Sequence, residues 1–344
     1  MQQTKIRHWA LCGLAMLTAF KSVSSPHLEL ENKVSTAQQA LIQGEPSLAH
    51  ALISKVGSSE LYEFHILEIL YLLELEKTSE AIAKLTAFEK RFSQRAATFS
   101  FSSEAWRTIG HQSNIFSKRQ YYKKAVQSKI KAGILAPESG RYLTMQASAF
   151  GQSKSYGGDA KKQAEVVEKI VKISKKWGYI ARINLAQNND EFGLAHQIAR
   201  LALDELPNDF DILERAAQLQ WTTDNDQLAQ AFFARACDKK PMTAAWYHTV
   251  RWINACYQVA IFAAEEAQNK QLGVQALLKL FEEYQLPTES NYELITLYIS
   301  LAEPSEVARV KPLLQHIIES TDDVKLKTNA KKQLASINNS ATTL

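Results

Sequence analysis

Residues 178–207, GYIARINLAQNNDEFGLAHQIARLALDELP, and residues 208–241, NDFDILERAAQLQWTTDNDQLAQAFFARACDKKP, superimpose at an offset of 34. Asp190 falls on Asp224, Ala195 on Ala229, Ala202 on Ala236 and Pro207 on Pro241. A unit of that length, with small residues at fixed points and a proline at its end, reads as two packed helices joined by a turn.

Working outward, the same rhythm covers most of the chain. Residues 29–43 form a first helix closed by Gly44, and Pro46 opens a second that runs to Val56, before Gly57–Ser59 break it. Residues 60–76 are apolar nearly all round, as expected of a helix enclosed on several sides. Thr78 and Ser79 then cap a helix to Phe92. Residues 93–103 read as a loop, with Ser102 or Ser103 capping the helix that follows. Further helices are expected to stop at Pro137, to cover 138–150, and to run unbroken over 160–177 after the turn SKSYGGD. Beyond Pro241 the pattern stretches into one long helix, 243–268, and then resumes with Pro287 and Pro304 as punctuation and Pro312 kinking a helix or sitting in its first turn. The organisation expected is therefore degenerate repeats over 25–175, two clear ones over 176–241, and C-terminal repeats over 242–337 with a disordered tail at 338–344.

Composition agrees with an all-α chain. The 344 residues allow one large domain or two small ones, and only 12 glycines and 8 prolines argue against a loop-rich all-β protein. At the N-terminus, Lys5, Arg7 and His8 precede an apolar run from Trp9 to Phe20 and the small residues Ser22–Ser25. That order is a secretory signal with cleavage near Ser24, and the run is shorter than the ~20 residues a bilayer span needs. A periplasmic or secreted protein with no transmembrane helix after signal removal is expected; an uncleaved anchor is the alternative. Without residues 1–24, which hold Lys5, Arg7 and Lys21 and no acid, 37 basic residues face 36 acidic ones. A near-neutral chain has no general electrostatic reason to bind nucleic acid. Cys237 and Cys256 fall near the end of one helix and well up the next, an axial offset of about 10 Å at 1.5 Å per residue. A bridge needs Cα atoms within about 7 Å, so two buried thiols are expected instead.

The paired lines resemble the tetratricopeptide repeat on Leu213, Ala217, Ala229, Phe233, Ala236 and Pro241 in one copy, and on Tyr179, Ala195, Ala202 and Pro207 in the other. Ile183 departs from the pattern, because the family prefers glycine there, and implies looser helix packing. The resemblance implies an all-α solenoid of about 16 or 17 helices, wound as a right-handed superhelix with a concave groove lined by the first helix of each repeat. An irregular all-α bundle is the alternative. The family's groove positions correspond to Asn184, Gln187 and Asn188, then Gln218 and Trp221, then Arg251 and Asn254. Carboxamides suit an extended peptide because each donates to and accepts from the main chain; Arg251 would hold a carboxylate and Trp221 cover an apolar side chain. Ile180 stands where carboxylate-binding members carry lysine, so that specificity is not implied. The plain alternative for the set is a solvated polar face.

Lys118, Arg119, Lys123, Lys124, Lys129 and Lys131 form a basic run around Tyr121 and Tyr122. It is a candidate for anionic lipid headgroups, acidic glycan or an acidic partner, and hence for peripheral envelope association; a solvated face balanced by nearby acids is the plain alternative. The eight histidines form no HExxH, and no GxSxG, GxGxxG or phosphate loop occurs. Asp209, Asp211 and Glu214 read as capping and solvated acids. No catalytic residue, metal or cofactor is assigned. The expected function is an exported adaptor that binds a peptide or protein partner in an envelope assembly. Two other readings stay open: a helical enzyme acting on cell-wall glycan or peptide through acids that converge in space, and a structural protein that self-associates through 243–268.

Overall fold

In a computed structural model of the chain the described residues are 46–56, 61–239, 246–265, 268–283, 288–321 and 323–341, together with Lys33, Val34, Thr36, Ala37 and Ala40. The secretory signal, its cleavage point and the start of the long helix at 243–245 lie outside them. Among the described residues all regular structure is helical. Two compact units divide the chain near Pro207.

The first unit holds α1 (Pro46–Val56), α2 (Tyr62–Glu74), α3 (Thr78–Arg91), α4 (Ala96–Gln112), α5 (Ile115–Leu135), α6 (Gly140–Phe150), α7 (Ala160–Ile173), α8 (Lys175–Asn188) and α9 (Phe192–Glu205). Each helix packs on the next, and α2 also meets α4, α4 meets α6 and α6 meets α8. That one-to-three contact is how stacked hairpins bury the apolar face that a single hairpin leaves open. The second unit holds α10 (Phe210–Thr222), α11 (Asp226–Cys237), α12 (Trp246–Glu265) from Arg251 onward, α13 (Lys270–Glu283), α14 (Thr288–Leu301), α15 (Lys311–Ser320) and α16 (Val324–Ala341). In it α11 meets α13 and α14 meets α16.

The repeat is written in its turns. Glu76, Asp190 and Asp224 have φ of 55°, 60° and 56°, the left-handed region, and each sits between the two helices of a hairpin. The amide after each reaches back five residues: Lys77 to the Leu72 carbonyl at 2.9 Å, Glu191 to Ala186 at 2.8 Å, Asn225 to Gln220 at 2.9 Å. This is a Schellman closure, which satisfies carbonyls left open at a helix end. Five residues past each left-handed residue stands an alanine with no exposed surface, Ala81, Ala195 or Ala229. A methyl at that point lets the second helix close on the first. Leu85, Ala199 and Phe233, also buried, follow four residues later, and burying a leucine or phenylalanine fully contributes about 1.5–3 kcal/mol.

Several expectations are corrected. Residues 96–103 are helix, not loop: Thr98 through Ser103 are all buried, and Ser103 Oγ donates to the Ser100 carbonyl at 2.8 Å. Burial on neighbouring helices overrides the weak helical preference of serine. The helix expected over 160–177 breaks at Ser174, whose extended backbone ends α7 and whose Oγ accepts from the Trp177 amide to start α8. Pro312 lies in the first turn of α15, after a 3₁₀ turn at Val307–Val310. The tail expected to be disordered from Asn338 is helical to Ala341. Ile183 is buried.

Cys237 and Cys256 are bridged, with Cα atoms 4.8 Å apart. The offset expected from the sequence assumed that α12 begins level with the end of α11. Instead the early turns of α12 run past that end, so Trp252 Nε1 donates to the Cys237 carbonyl at 2.6 Å. Buried Gln230 holds the other flank: its Nε2 donates to the carbonyls of Val259 and Asn269, and its Oε1 accepts from the Asn269 amide. All of its polar atoms are thereby used, as burial requires.

Candidate partner-binding site

Asp209 starts α10, its carboxylate accepting from the amides of Asp211 and Ile212. From there Asp211, Glu214, Gln218 and Trp221 recur at three- and four-residue steps and so share one face. On α12 the matching stripe is Arg251, Asn254, Gln258 and Phe262. The two helices run parallel, because contacts at one end are matched at the other. Arg251 meets Asp211 and Glu214 near the start of α10, and Phe262 meets the Trp221 ring edge-on at 5.7 Å near its end. Ten residues on one helix against eleven on the other span about 15 Å each at 1.5 Å per residue.

The charged end of this face is closed upon itself. Arg251 Nη1 donates to Asp211 at 2.6 Å, its Nε and Nη2 both reach Glu214 Oε2, and its guanidinium lies 5.0 Å over the Phe210 ring. The three charged side chains are only 11–14% exposed. Asp211 and Glu214 are therefore not the solvated acids that their sequence suggested. Arg251, expected to hold a partner's carboxylate, already holds two of the chain's own. Next to it Arg215 donates to Gln218 Oε1, and burial pulls the Arg215 guanidinium down to about 10 against the opposing effect of Glu214.

The other end is open. Trp221 is 49% exposed although its ring rests on Phe262, and Asn254 is exposed beside the half-buried Gln218 and Gln258. An indole held edge-on by a second aromatic ring is oriented without being covered. The structure thus brings Gln218, Trp221, Arg251 and Asn254 to one parallel helix pair, where the sequence reading missed Gln258 and Phe262. Their period along α12 was the available signal.

In the first unit, Asn184 and Gln187 are half-buried on α8 and Asn188 is exposed. The Asn188 amide presses on the α6–α7 corner, since a Cβ placed on Gly151 would meet its Nδ2 at 2.1 Å. A recess of about 400 Å³ between α7 and α8 is walled by Val171, Ile173, Lys175, Tyr179 and Arg182, with no acid or histidine in its wall. Of the basic run, Lys124 lies over the Trp106 ring at 4.1 Å, Lys131 over Phe99 at 3.9 Å and Lys118 over Tyr122 at 5.6 Å. Arg119 and Lys123 are exposed. Among the described residues no cluster of histidine, cysteine and carboxylate side chains could hold a metal ion, and no helix is long and apolar enough to cross a membrane.

The recurring left-handed turn, the buried alanine five residues on and the parallel first helices settle the architecture. The fold is a tetratricopeptide-like helical repeat. Among solved structures it is similar to a tetratricopeptide repeat protein from Parabacteroides merdae, with 13% identity over 79% of this chain and 99% of that one and a TM-score of 0.41. It is also similar to a thermophilic tetratricopeptide protein of Thermus thermophilus, with 14% identity over 66% of this chain and 98% of that one and a TM-score of 0.39. No protein-family model and no curated protein matches the chain.

Proposed function

We propose that the chain is an exported, non-enzymatic adaptor whose α10–α12 face binds an extended segment of a protein partner in a cell-envelope assembly. The observation that carries this reading is Trp221, an oriented and half-exposed indole at the open end of the face, beside the carboxamides of Gln218, Asn254 and Gln258. An extended peptide has a donor and an acceptor at every residue and an apolar side chain at intervals. Gln218, Asn254 and Gln258 match the first need, and Trp221 matches the second. The closed Asp211–Glu214–Arg251 cluster sets the geometry of the pair and leaves recognition to the amides and the indole. Asn184 and Gln187 offer the same chemistry on α8.

The buried disulfide supports export, because such bonds persist in oxidising compartments. The carboxylates that converge do so on Arg251 and not on an open pocket, which favours an adaptor over an acid–base catalyst. The long helix turns Trp252, Ala255, Cys256, Val259, Ala260 and Ala263 into the core, which favours an adaptor over self-association through that helix.

The test is partner capture by the variant Gln218→Ala, Trp221→Ala, Asn254→Ala. Helicity should stay close to the parent while capture is lost, and the urea midpoint should fall only by what Gln218→Ala costs in removing the acceptor of Arg215. Undiminished capture by a folded variant would show that the partner binds elsewhere.

A further inference from the structure

From Ala105 to Pro137 the sequence has no acidic residue, and it carries Arg107 and the six cations of α5. The nearest acids along the chain are Glu104, which is bonded to Arg107 at 2.8 Å, and Glu138, beyond the end of α5. Arg119 and Lys123 have no ion-pair partner among the described residues. The acid brought nearest the inner flank is Glu89, which accepts from the Trp106 Nε1 on whose ring Lys124 lies, and it pairs with neither Arg119 nor Lys123.

The same face is apolar at its ends. Phe116 is 91% exposed, Ile115 80% and Ile134 62%, so the chain itself covers almost nothing of the phenylalanine. Phe116, Arg119, Lys123, Gln127 and Ile134 follow one another at three-, four- and seven-residue steps along the outward stripe of α5. The corner that presents Phe116 is built and not frayed. Asn114 caps α5 by accepting from the amides of Phe116 and Ser117 at 3.0 and 3.1 Å. On the flank of the helix the half-buried Lys124 and the exposed Lys131 lie over aromatic rings, and on the inner side Ala125, Val126, Ser128 and Ala132 are buried.

We propose that the outward face of α5 is a docking surface for an anionic lipid bilayer, with Phe116 and Ile115 inserted at the headgroup boundary and Arg119 and Lys123 against the phosphates. Charge complementarity names the class of partner, since cations without acids attract a negatively charged surface over roughly a Debye length. The bare aromatic tip selects a bilayer among such surfaces. A headgroup layer accepts a protruding apolar side chain with no matching pocket, whereas a folded acidic partner must supply one. The helix lies flat on the surface and does not cross it.

The experiment is sedimentation of the full chain with vesicles of phosphatidylcholine alone or with one quarter phosphatidylglycerol, at low salt and at 0.5 M salt. The run from Trp9 to Phe20 is common to all variants and cancels between them. The parent should partition at least tenfold more strongly to the anionic vesicles, and salt should abolish the difference. Phe116→Ala should lower that partition about tenfold and Arg119→Glu with Lys123→Glu about a hundredfold. All three side chains are exposed, and circular dichroism would verify that the variants stay folded. In Phe116→Trp the emission should shift to the blue on anionic vesicles only. Equal partition to both vesicle types would overturn the proposal. So would charge reversal that weakens binding while Phe116→Ala leaves it unchanged, because that pattern belongs to a polyanion or an acidic protein surface.

Discussion

Reducing the Cys237–Cys256 bridge should loosen one part of the molecule by a calculable amount. The bridge closes a loop across 19 positions, and the chain-entropy relation assigns a loop of that length about 3 kcal/mol. Both cysteines are buried, and the bridge lies beside the Trp252–Cys237 hydrogen bond and the Gln230 contacts, which remain after reduction. The native arrangement should therefore survive while its opening becomes easier. Because the chain has two units, one unfolding curve would average over both, and hydrogen exchange resolved by segment is the better assay. In the exchange-limited regime 3 kcal/mol corresponds to roughly a hundredfold faster exchange, confined to α11 and α12. Segments from α6 to α8 in the first unit should be indifferent to reductant, and Cys256→Ala should show the fast rate with or without it. Alkylation of two free thiols in the unreduced protein, or exchange in α11 and α12 that ignores reductant, would refute the reasoning.

Three other perturbations have clear signs. Arg251→Met leaves Asp211 and Glu214 uncompensated in a nearly buried site and should destabilise the second unit by about 3 kcal/mol, while adding Asp211→Asn and Glu214→Gln should recover most of that in urea denaturation. Gly158→Ala would place a Cβ 1.5 Å from the Gln152 carbonyl oxygen, so the α6–α7 turn must rearrange and the melting temperature should fall by several degrees. His65 sits among Phe64, Phe88 and Phe92, and burial first and Arg91 second hold its imidazole below the ordinary 6.5, against the opposite effect of Glu68. The unfolded chain therefore binds the extra proton, so stability is complete above about pH 6.5 and declines as pH falls through the folded value; His65→Gln should flatten that decline in urea midpoints taken between pH 5 and 8.

The repeat was legible because it is a matter of spacing. Ala195 and Ala229 had to be small whatever surrounds them, and the 34-residue offset found them. The closing turn at Asp190 and Asp224 was legible in position but not in conformation, since aspartate in the left-handed region carries no glycine to announce it. The α4 segment was hidden because six consecutive buried residues of Thr98–Ser103 owe their helix to neighbours and not to propensity. Ser174 broke a helix with neither glycine nor proline to signal it. The bridge was misjudged because axial offset depends on where α12 starts relative to α11, a tertiary fact. At the site, the polar stripe of α10 followed from helical period. That Arg251 is claimed by Asp211 and Glu214 depends on how two helices 37–40 residues apart align, and no local pattern encodes that alignment.

The central claim is that a partner lies along the α10–α12 face. Photo-crosslinking in cells from a benzophenone side chain at position 221 or 254, with position 227 on exposed α11 as the control, tests it most directly. The account predicts one discrete protein adduct from 221 and from 254 and none from 227. An adduct that forms equally well from 227, or none from 221 and 254, would contradict it.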